Sequence, residues 1–179
     1  VKRVVITGMA QISPLGTNVT KALSRLHELK NCILYMPELE EFTRLNTKLA
    51  APATDFETPA HFNRKVLRTM GRVGIFSVAS AEEALKDADL LYDEIIINGE
   101  TGVSYGSSSG SLESIIDFYS MMVDKEVRTV TSGSYVKMMP QTTAVNISLY
   151  FKTTGRLIPT STACTSGSMG IGYAYEALK

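Results

Sequence analysis

The 179-residue sequence predicts an α/β fold in which helices cover both faces of a mixed, mostly parallel sheet. Short β-rich segments alternate with longer segments whose apolar residues recur at helical spacing. Each of the short segments ends in glycine or other small residues, which favour tight turns into the next helix. The length allows one sizeable core, so we expect a single domain over residues 1–179.

The first third of the chain predicts one strand and one helix, followed by an irregular segment. Val4 to Thr7 is β-rich and is closed by Gly8, which indicates a buried central strand. Asn18 is a suitable cap for a helix that runs from about residue 19 to residue 30. Residues 31–63 contain three prolines and predict a surface excursion, with one short helix at about 38–45.

The remainder of the chain alternates regularly between helix and strand. The predicted elements are a helix at 66–88, a strand at 101–105, a helix from the 106–111 turn to about 125, a helix at 140–151, a strand at 157–161 and a final helix after 164. A loop rich in Thr, Ser and Gly precedes the helix at 140–151. This order predicts parallel strands joined by helices.

Composition excludes several classes of partner. Eighteen basic and eighteen acidic residues give a net charge of zero, so no long-range field attracts nucleic acid or an anionic membrane. No apolar stretch approaches the roughly 20 residues that span a bilayer. Cys32 and Cys164 lie far apart and lack metal-ligand spacing. We therefore expect no metal, no disulfide, and a reducing, cytoplasmic environment.

Cys164 lies where an extended segment changes abruptly into small residues that open a helix. A thiol on such a turn points away from the sheet, and the free N–H groups and positive end of the helix favour the thiolate. Thiolates attack acyl carbonyls, which predicts that Cys164 is a nucleophile. The alternative is an inert buried cysteine.

The residues around Cys164 also carry a resemblance. The pattern is Gly155, four residues, Thr160, two residues, Ala163-Cys164-Thr165-Ser166-Gly167, three residues and Ile171. It resembles the active-site signature of the β-ketoacyl-acyl-carrier-protein synthases of types I and II, the condensing enzymes of fatty acid and polyketide synthesis. Further similar blocks occur in the family's order at 3–8 with 13–16, at 70–72 and at 102–106.

The resemblance implies the amino-terminal half of a thiolase-like fold, incomplete at its carboxyl end, with the second half absent. It implies acyl transfer to Cys164, whose backbone N–H helps to stabilise the oxyanion, and then decarboxylative condensation with a malonyl-carrier thioester. The family's two histidines belong to the second half, so we expect this chain alone to be inactive. A thiolase-type acyltransferase and a non-catalytic half-domain fragment remain alternatives.

The resemblance further implies an acyl pocket beside Cys164, lined by Ser109, Ala163, Ser134 and Met139. It implies a homodimer in which Ser134 and Met139 reach the neighbouring pocket. The substrates would be carried on the phosphopantetheine of acyl carrier protein, and no other cofactor is implied. Serines at 106–111 where glycines are usual, and Arg156 after Gly155 where proline is common, leave room for a polyketide or polyene pathway.

The segment Gly106–Gly110 also fits G-x-S-x-G, the nucleophile turn of α/β-hydrolases. That chemistry requires an acid and then a histidine downstream of the serine. The two histidines, His27 and His61, are both upstream, and no Cys or His lies near enough to either to suggest a metal site. We therefore interpret both as surface histidines and set the hydrolase hypothesis aside.

Four basic residues cluster at the start of the predicted helix at 66–88, where the macrodipole disfavours positive charge: Arg64, Lys65, Arg68 and Arg72. One interpretation is a solvated helix face. The other is a docking surface for an acidic partner such as acyl carrier protein. The resemblance places Lys65 and Arg68 at carrier-docking positions, and we favour docking.

The final helix presents a face with almost no side chains, formed by Gly167, Gly170, Ala174 and Ala177. Such a face predicts close contact with another helix. Glycine is intrinsically unfavourable in a helix by about 1 kcal/mol relative to alanine, so tertiary packing must stabilise this one.

Overall fold

The computed structural model describes residues 3–179, which form two compact units. The larger unit combines residues 3–8 with Thr58–Lys179, and the smaller unit comprises Met9–Glu57. Within residues 3–179, no helix is both long and apolar enough to cross a membrane.

The smaller unit contains the predicted capped helix. Helix α1 spans Val19–His27, and the Asn18 side chain accepts a hydrogen bond from the Lys21 N–H at 2.8 Å, which confirms the cap. Strand β1 (Leu34–Tyr35) pairs antiparallel with β2 (Leu49–Ala50). A 3-10 helix at Pro37–Glu41 takes the place of the short helix expected at 38–45. This segment is therefore more regular than the sequence indicated.

The sheet of the larger unit consists of two parallel strands, β3 (Val103–Gly106) and β4 (Leu157–Thr160), with Gly106 opposite Thr160. Their order and parallel pairing confirm the strands predicted at 101–105 and 157–161. Among the described residues, the larger unit also contains six α-helices: α2 (Arg64–Leu67), α3 (Arg72–Asp87), α4 (Glu113–Asp124), α5 (Ser132–Met138), α6 (Thr142–Phe151) and α7 (Ser166–Leu178). A 3-10 helix at Glu94–Ile96 precedes β3.

Helices cover both faces of this sheet. The Ser104 hydroxyl donates to the carbonyl of Gly170 in α7 at 2.7 Å, whereas the next residue, Tyr105, shares a 2.6 Å hydrogen bond with Ser77 of α3. Successive strand side chains point to opposite faces, so α7 and α3 lie on opposite sides of β3. Of the bare face of α7, Gly170 packs on the sheet, since a methyl group there would lie 3.1 Å from the Gly106 nitrogen, whereas a methyl group at Gly167 would meet no atom within 4 Å.

The predicted strand at Val4–Thr7 is wrong. The described part of this segment contains no strand, and the side chains of Val5 and Ile6 are 57% and 80% exposed. A β-rich sequence becomes a strand only where a neighbour completes its hydrogen bonds, and among residues 3–179 none pairs with this segment. Gly8 instead lies against the end of α3, where a methyl group would be 2.2 Å from the Ala84 carbonyl oxygen.

The single helix predicted at 66–88 is also wrong, because it is divided into α2 and α3. Gly71 is extended (φ −90°, ψ −175°), and a methyl group there would lie 2.1 Å from the Ser111 Oγ. The buried Asn146 of α6 also stabilises the break. Its side-chain oxygen accepts from the Thr69 hydroxyl at 3.1 Å, and its side-chain nitrogen donates to the Thr69 carbonyl at 3.3 Å. Contacts distant in sequence therefore interrupt a locally helical pattern.

The loop predicted before residue 140 contains helix α5. Its cap is reciprocal, since the Ser134 N–H donates to the Thr131 Oγ at 3.2 Å and the Thr131 N–H donates to the Ser134 Oγ at 3.3 Å. The following helix, α6, begins at Thr142 rather than at Pro140. Ser and Thr here cap a helix instead of forming an irregular loop.

Candidate active site

The turn from β4 into α7 presents Cys164 at the surface, with an exposed side chain. Ser166, the first residue of α7, is 3% exposed and organises the turn. Its hydroxyl donates to the Ala163 carbonyl at 2.6 Å and accepts from the Thr162 N–H at 2.9 Å. The strand, turn and helix predicted around Cys164 are therefore all present.

Ala163, directly before Cys164, has a φ of 51°. The left-handed region costs an L-residue other than glycine roughly 1–2 kcal/mol. Such strain persists only where surrounding contacts impose it, and here Ser166 bonds Ala163 through both its hydroxyl and its N–H. Because the chain reverses at Ala163, Cys164 does not continue the direction of β4.

Strand β3 fixes this turn from the adjacent side. A methyl group at Gly106 would lie 2.0 Å from the Ser166 carbonyl oxygen, so only glycine permits the observed approach. The Thr160 hydroxyl donates to the same carbonyl at 2.8 Å, and the Ser107 N–H donates to the Thr160 carbonyl at 3.0 Å. The carboxyl ends of both strands and the start of α7 thus form one rigid corner.

Ser109 and Met139 lie on two segments that meet near this corner. Ser109 is exposed, and its carbonyl accepts from the Ser107 hydroxyl at 2.7 Å. A methyl group at Gly110 would be 2.2 Å from the Met138 carbonyl oxygen, so the end of α5 packs directly on the 106–111 turn. Met139, the half-buried residue that follows α5, is brought to the turn by this contact.

Ser134 occupies a different environment from the other implied pocket residues. It is 6% exposed, and its hydroxyl donates to the Asp117 carboxylate of α4 at 2.8 Å. The same hydroxyl caps α5 through Thr131. Within this chain, Ser134 therefore joins α5 to α4.

The basic cluster is divided between three segments and not aligned on one helix. Arg64 and Lys65 lie on the four-residue α2, Arg68 follows it and Arg72 starts α3; all four side chains are exposed. The Arg72 guanidinium lies 4.6 Å from the centroid of the Phe76 ring, a cation–π distance.

For α3, the helix-dipole argument applies only to Arg72, since Arg64, Lys65 and Arg68 precede its start and Arg64 and Lys65 instead begin the four-residue α2. Across residues 3–179, no salt bridge engages Arg64, Lys65 or Arg68. The charge of these three side chains is therefore not neutralised by a neighbouring carboxylate.

A buried carboxylate that the sequence analysis did not identify lies on α3. Glu82 is 5% exposed, and it accepts from Lys86 at 2.9 Å, bonds His61 at 2.9 Å and accepts from the Tyr150 hydroxyl at 3.2 Å. Burial opposes ionisation, but hydrogen bonds from Lys86 and His61 outweigh it and lower the pKa of Glu82. Burial and the Glu82 charge raise the pKa of Tyr150 to about 12.

The structure also adds contacts at His61 and Cys32 that the sequence did not indicate. His61 is more than a surface histidine, because it hydrogen-bonds the buried Glu82 although its own side chain is 54% exposed. Cys32, for which the sequence shows no activating neighbour, lies 3.9 Å from an Arg25 guanidinium nitrogen. Neither pair follows a local spacing rule, so the sequence carried no signal for them. In the part of the chain that the structure describes, no group of three His, Cys, Asp or Glu side chains could hold a metal ion.

Comparison with known proteins identifies the family. The family model described as "Beta-ketoacyl synthase, N-terminal domain" matches residues 1–179. The crystal structure of a β-ketoacyl synthase from Burkholderia phymatum STM815 matches with a TM-score of 0.93 and 48% identity, over 99% of this chain and 44% of that chain.

Curated relatives agree with this match. The chain is 29% identical to 3-oxoacyl-[acyl-carrier-protein] synthase 2 of Staphylococcus aureus (strain COL), over 99% of this chain and 42% of the relative. It is 31% identical to 3-oxoacyl-[acyl-carrier-protein] synthase 1 of Buchnera aphidicola subsp. Baizongia pistaciae (strain Bp), over 99% and 44%. The chain thus spans less than half the length of these relatives. It belongs to the β-ketoacyl synthase family and has the fold of the amino-terminal half of its thiolase-like architecture.

Proposed function

We propose that the complete protein is a β-ketoacyl-acyl-carrier-protein synthase and that Cys164 is its acyl-accepting nucleophile. The observation that carries this proposal is the exposed thiol on a strained strand-to-helix turn, which Ser166 and Gly106 hold rigid. A thiol fixed in this way can approach a carbonyl without reorganising the chain.

In the proposed reaction, the Cys164 thiolate attacks the carbonyl carbon of a carrier-bound acyl thioester. The new bond joins Sγ to that carbon, the bond from the carbon to the carrier's sulfur breaks, and the carrier leaves as a thiolate that takes a proton from water. The Cys164 N–H supports the oxyanion of the tetrahedral intermediate. Loss of CO2 from a malonyl-carrier thioester then supplies a carbanion that attacks the acyl group, and Cys164 leaves as its thiolate.

The acyl chain would lie beside Ala163 and Ser109, and in the proposed homodimer Ser134 and Met139 would reach the acyl pocket of the neighbouring subunit. Small side chains at 109 and 163 leave room for an extended chain. Both substrates would arrive on the phosphopantetheine of a carrier protein, with no further cofactor. The family's histidines for decarboxylation belong to the half that this chain does not match, so the chain alone is expected not to condense substrates.

The carrier protein would dock on Lys65 and Arg68, flanked by Arg64 and Arg72. Exposed basic side chains without ion-pair partners complement an acidic protein, and both curated relatives carry an acyl carrier protein in their names. We further propose a homodimer in the cytoplasm. Light scattering on the complete protein tests the dimer, and a fully active monomer would contradict it.

The experiment combines the complete protein with acyl-carrier and malonyl-carrier substrates, and measures CO2 release and β-ketoacyl product by mass spectrometry. The proposal predicts both products in equal amounts and no β-ketoacyl product from Cys164→Ala. Condensation without CO2 release would indicate thiolase-type chemistry, and no acyl transfer at all would indicate a non-catalytic protein. Either result refutes the proposal.

A further inference from the structure

Ser111 connects two regions of the larger unit that the sequence presents separately, the basic segment and the 106–111 turn. It is the last residue of that turn and is only 2% exposed. It belongs to the turn whose serines stand where the resembling family usually has glycines.

Three helices meet at Ser111. Its N–H donates to the Lys137 carbonyl of α5 at 2.9 Å, and its carbonyl accepts from the Ser114 N–H of α4 at 3.2 Å. Its hydroxyl accepts from the Val73 N–H of α3 at 3.4 Å. A single buried residue therefore ties together the starts of α3 and α4 and the end of α5.

The contact with α3 replaces a missing cap. The first N–H groups of a helix need acceptors from outside the helix, and Gly71 at the cap position has no side chain to offer one. The Ser111 hydroxyl supplies the acceptor from a distant segment. The fit is close, because any side chain at Gly71 would overlap this hydroxyl, at 2.1 Å from the added carbon.

This contact joins a segment proposed to dock the carrier protein to a segment proposed to line the acyl pocket. On one side, Gly71 is followed by Arg72 and closely preceded by Arg68, both in the proposed docking surface. On the other side, Ser111 ends the turn that carries Ser109, and its neighbour Gly110 packs on Met138.

We propose that Ser111 is a positioning residue for acyl transfer from the carrier protein. It fixes the distance between Arg68 and Arg72, which lie on either side of Gly71, and the corner that presents Cys164. A carrier docked on those residues then delivers its thioester to the nucleophile in one geometry. This inference rests on the proposed function.

The test measures kcat and KM for acylation of Cys164 in the complete enzyme with two donors, an acyl carrier protein and the same acyl group on N-acetylcysteamine. For Ser111→Ala we expect kcat/KM with the carrier to fall by about tenfold, while the value for the carrier-free donor stays within about twofold. Ser114→Ala, which also loses a buried hydroxyl, is the matched control and should change neither donor selectively.

If Ser111→Ala does not fold, a second pair of variants still tests the inference. Gly71→Ala should impair the carrier donor because its methyl group displaces Ser111. Adding Ser111→Gly removes the overlap, so the double variant should lose no more than Ser111→Gly measured alone. The inference is overturned if both donors fall by the same factor, if neither changes, or if the double variant loses the product of the single losses. An unmodified enzyme that accepts acyl groups from neither donor would defeat the proposed function itself.

Discussion

At the level of single residues, the proposed nucleophile depends on a strained neighbour. Ala163 is left-handed, and Ser166 holds it there with two hydrogen bonds to one carbonyl. The buried Ser166 thus supports the geometry of Cys164 without reaching the surface itself. The sequence shows that the residues around Cys164 are small. Only the structure shows that the Ser166 hydroxyl organises the turn.

Glu82 is the residue through which we expect acid to act on the larger unit. Its pKa is lowered from 4.5, so its ionised form stabilises the fold above that value, and the contribution is lost as pH falls below it. Its partners come from three places: His61 before α2, Lys86 on the same helix and Tyr150 on α6. The carboxylate therefore ties a loop and a second helix to α3.

Glu82→Ala should lower the free energy of unfolding of the complete protein by about 2 kcal/mol at neutral pH, because charged hydrogen bonds are lost from a buried site. Glu83→Ala, one position along the helix on an exposed residue paired only with Lys86, should change it by less than about 0.5 kcal/mol. Denaturant titrations of both variants at several pH values measure this difference. Equal losses, or a difference that grows in acid, would contradict the role given to Glu82.

At the level of elements, the break between α2 and α3 determines where the basic residues stand. The break places Arg64 and Lys65 on a short helix of their own, whose start is capped by Asn63 through the Lys65 N–H at 3.0 Å and the Val66 N–H at 3.1 Å. A continuous helix would have placed all four basic residues on one axis. The divided arrangement presents them from three short segments instead.

Reversing the charge of this surface should affect the carrier selectively. In the complete enzyme, Lys65→Glu with Arg68→Glu should reduce kcat/KM for a carrier-bound donor by about tenfold at low salt, with a smaller loss at high salt. A carrier-free thioester should react as before, because Cys164 itself is unchanged. The control is Arg44→Glu, which reverses the charge of an exposed residue in the smaller unit.

Two results would remove the docking assignment. Equal losses with both donors would show that the substitutions damage the fold. No loss with either donor would leave the cluster as a solvated surface.

The elements that the sequence predicted correctly are those set by local pattern. Helix α1, strands β3 and β4, and the small-residue turn at Cys164 all follow from spacing, capping and glycine placement. The errors have non-local causes. The break at Gly71 is imposed by Ser111, forty residues further along the chain. The segment at Val4–Thr7 has strand composition but, among the described residues, no strand beside it.

Helix α5 is an exception, because its Thr131 and Ser134 capping box is a local signal. The high content of Ser, Thr and Gly suggested a loop, and the spacing of the two capping residues was the better guide. The His61–Glu82 and Arg25–Cys32 pairs join segments that no periodicity relates, and only the folded chain brings them together.

At the level of the whole molecule, the parallel pairing of β3 with β4 assembles the candidate site. The carboxyl ends of neighbouring parallel strands lie at one edge of the sheet, which is where α/β folds commonly bind ligands. The 106–111 turn and the Cys164 turn both leave that edge, and the end of α5 packs on the first of them. The net charge of zero leaves recognition of a charged partner to local clusters such as the one at 64–72.

The most direct test asks which atom accepts the acyl group. The complete protein is incubated with a carrier-bound acyl thioester, quenched in acid, digested and mapped by mass spectrometry. Cys32 provides an internal comparison, since it is also a free thiol and has a guanidinium nitrogen 3.9 Å from its sulfur. We predict the acyl mass on the peptide that contains Cys164, none on Cys32, and no acyl-protein from Cys164→Ala. Acylation of Cys32 first, or unchanged acylation of the Cys164→Ala protein, would contradict the account.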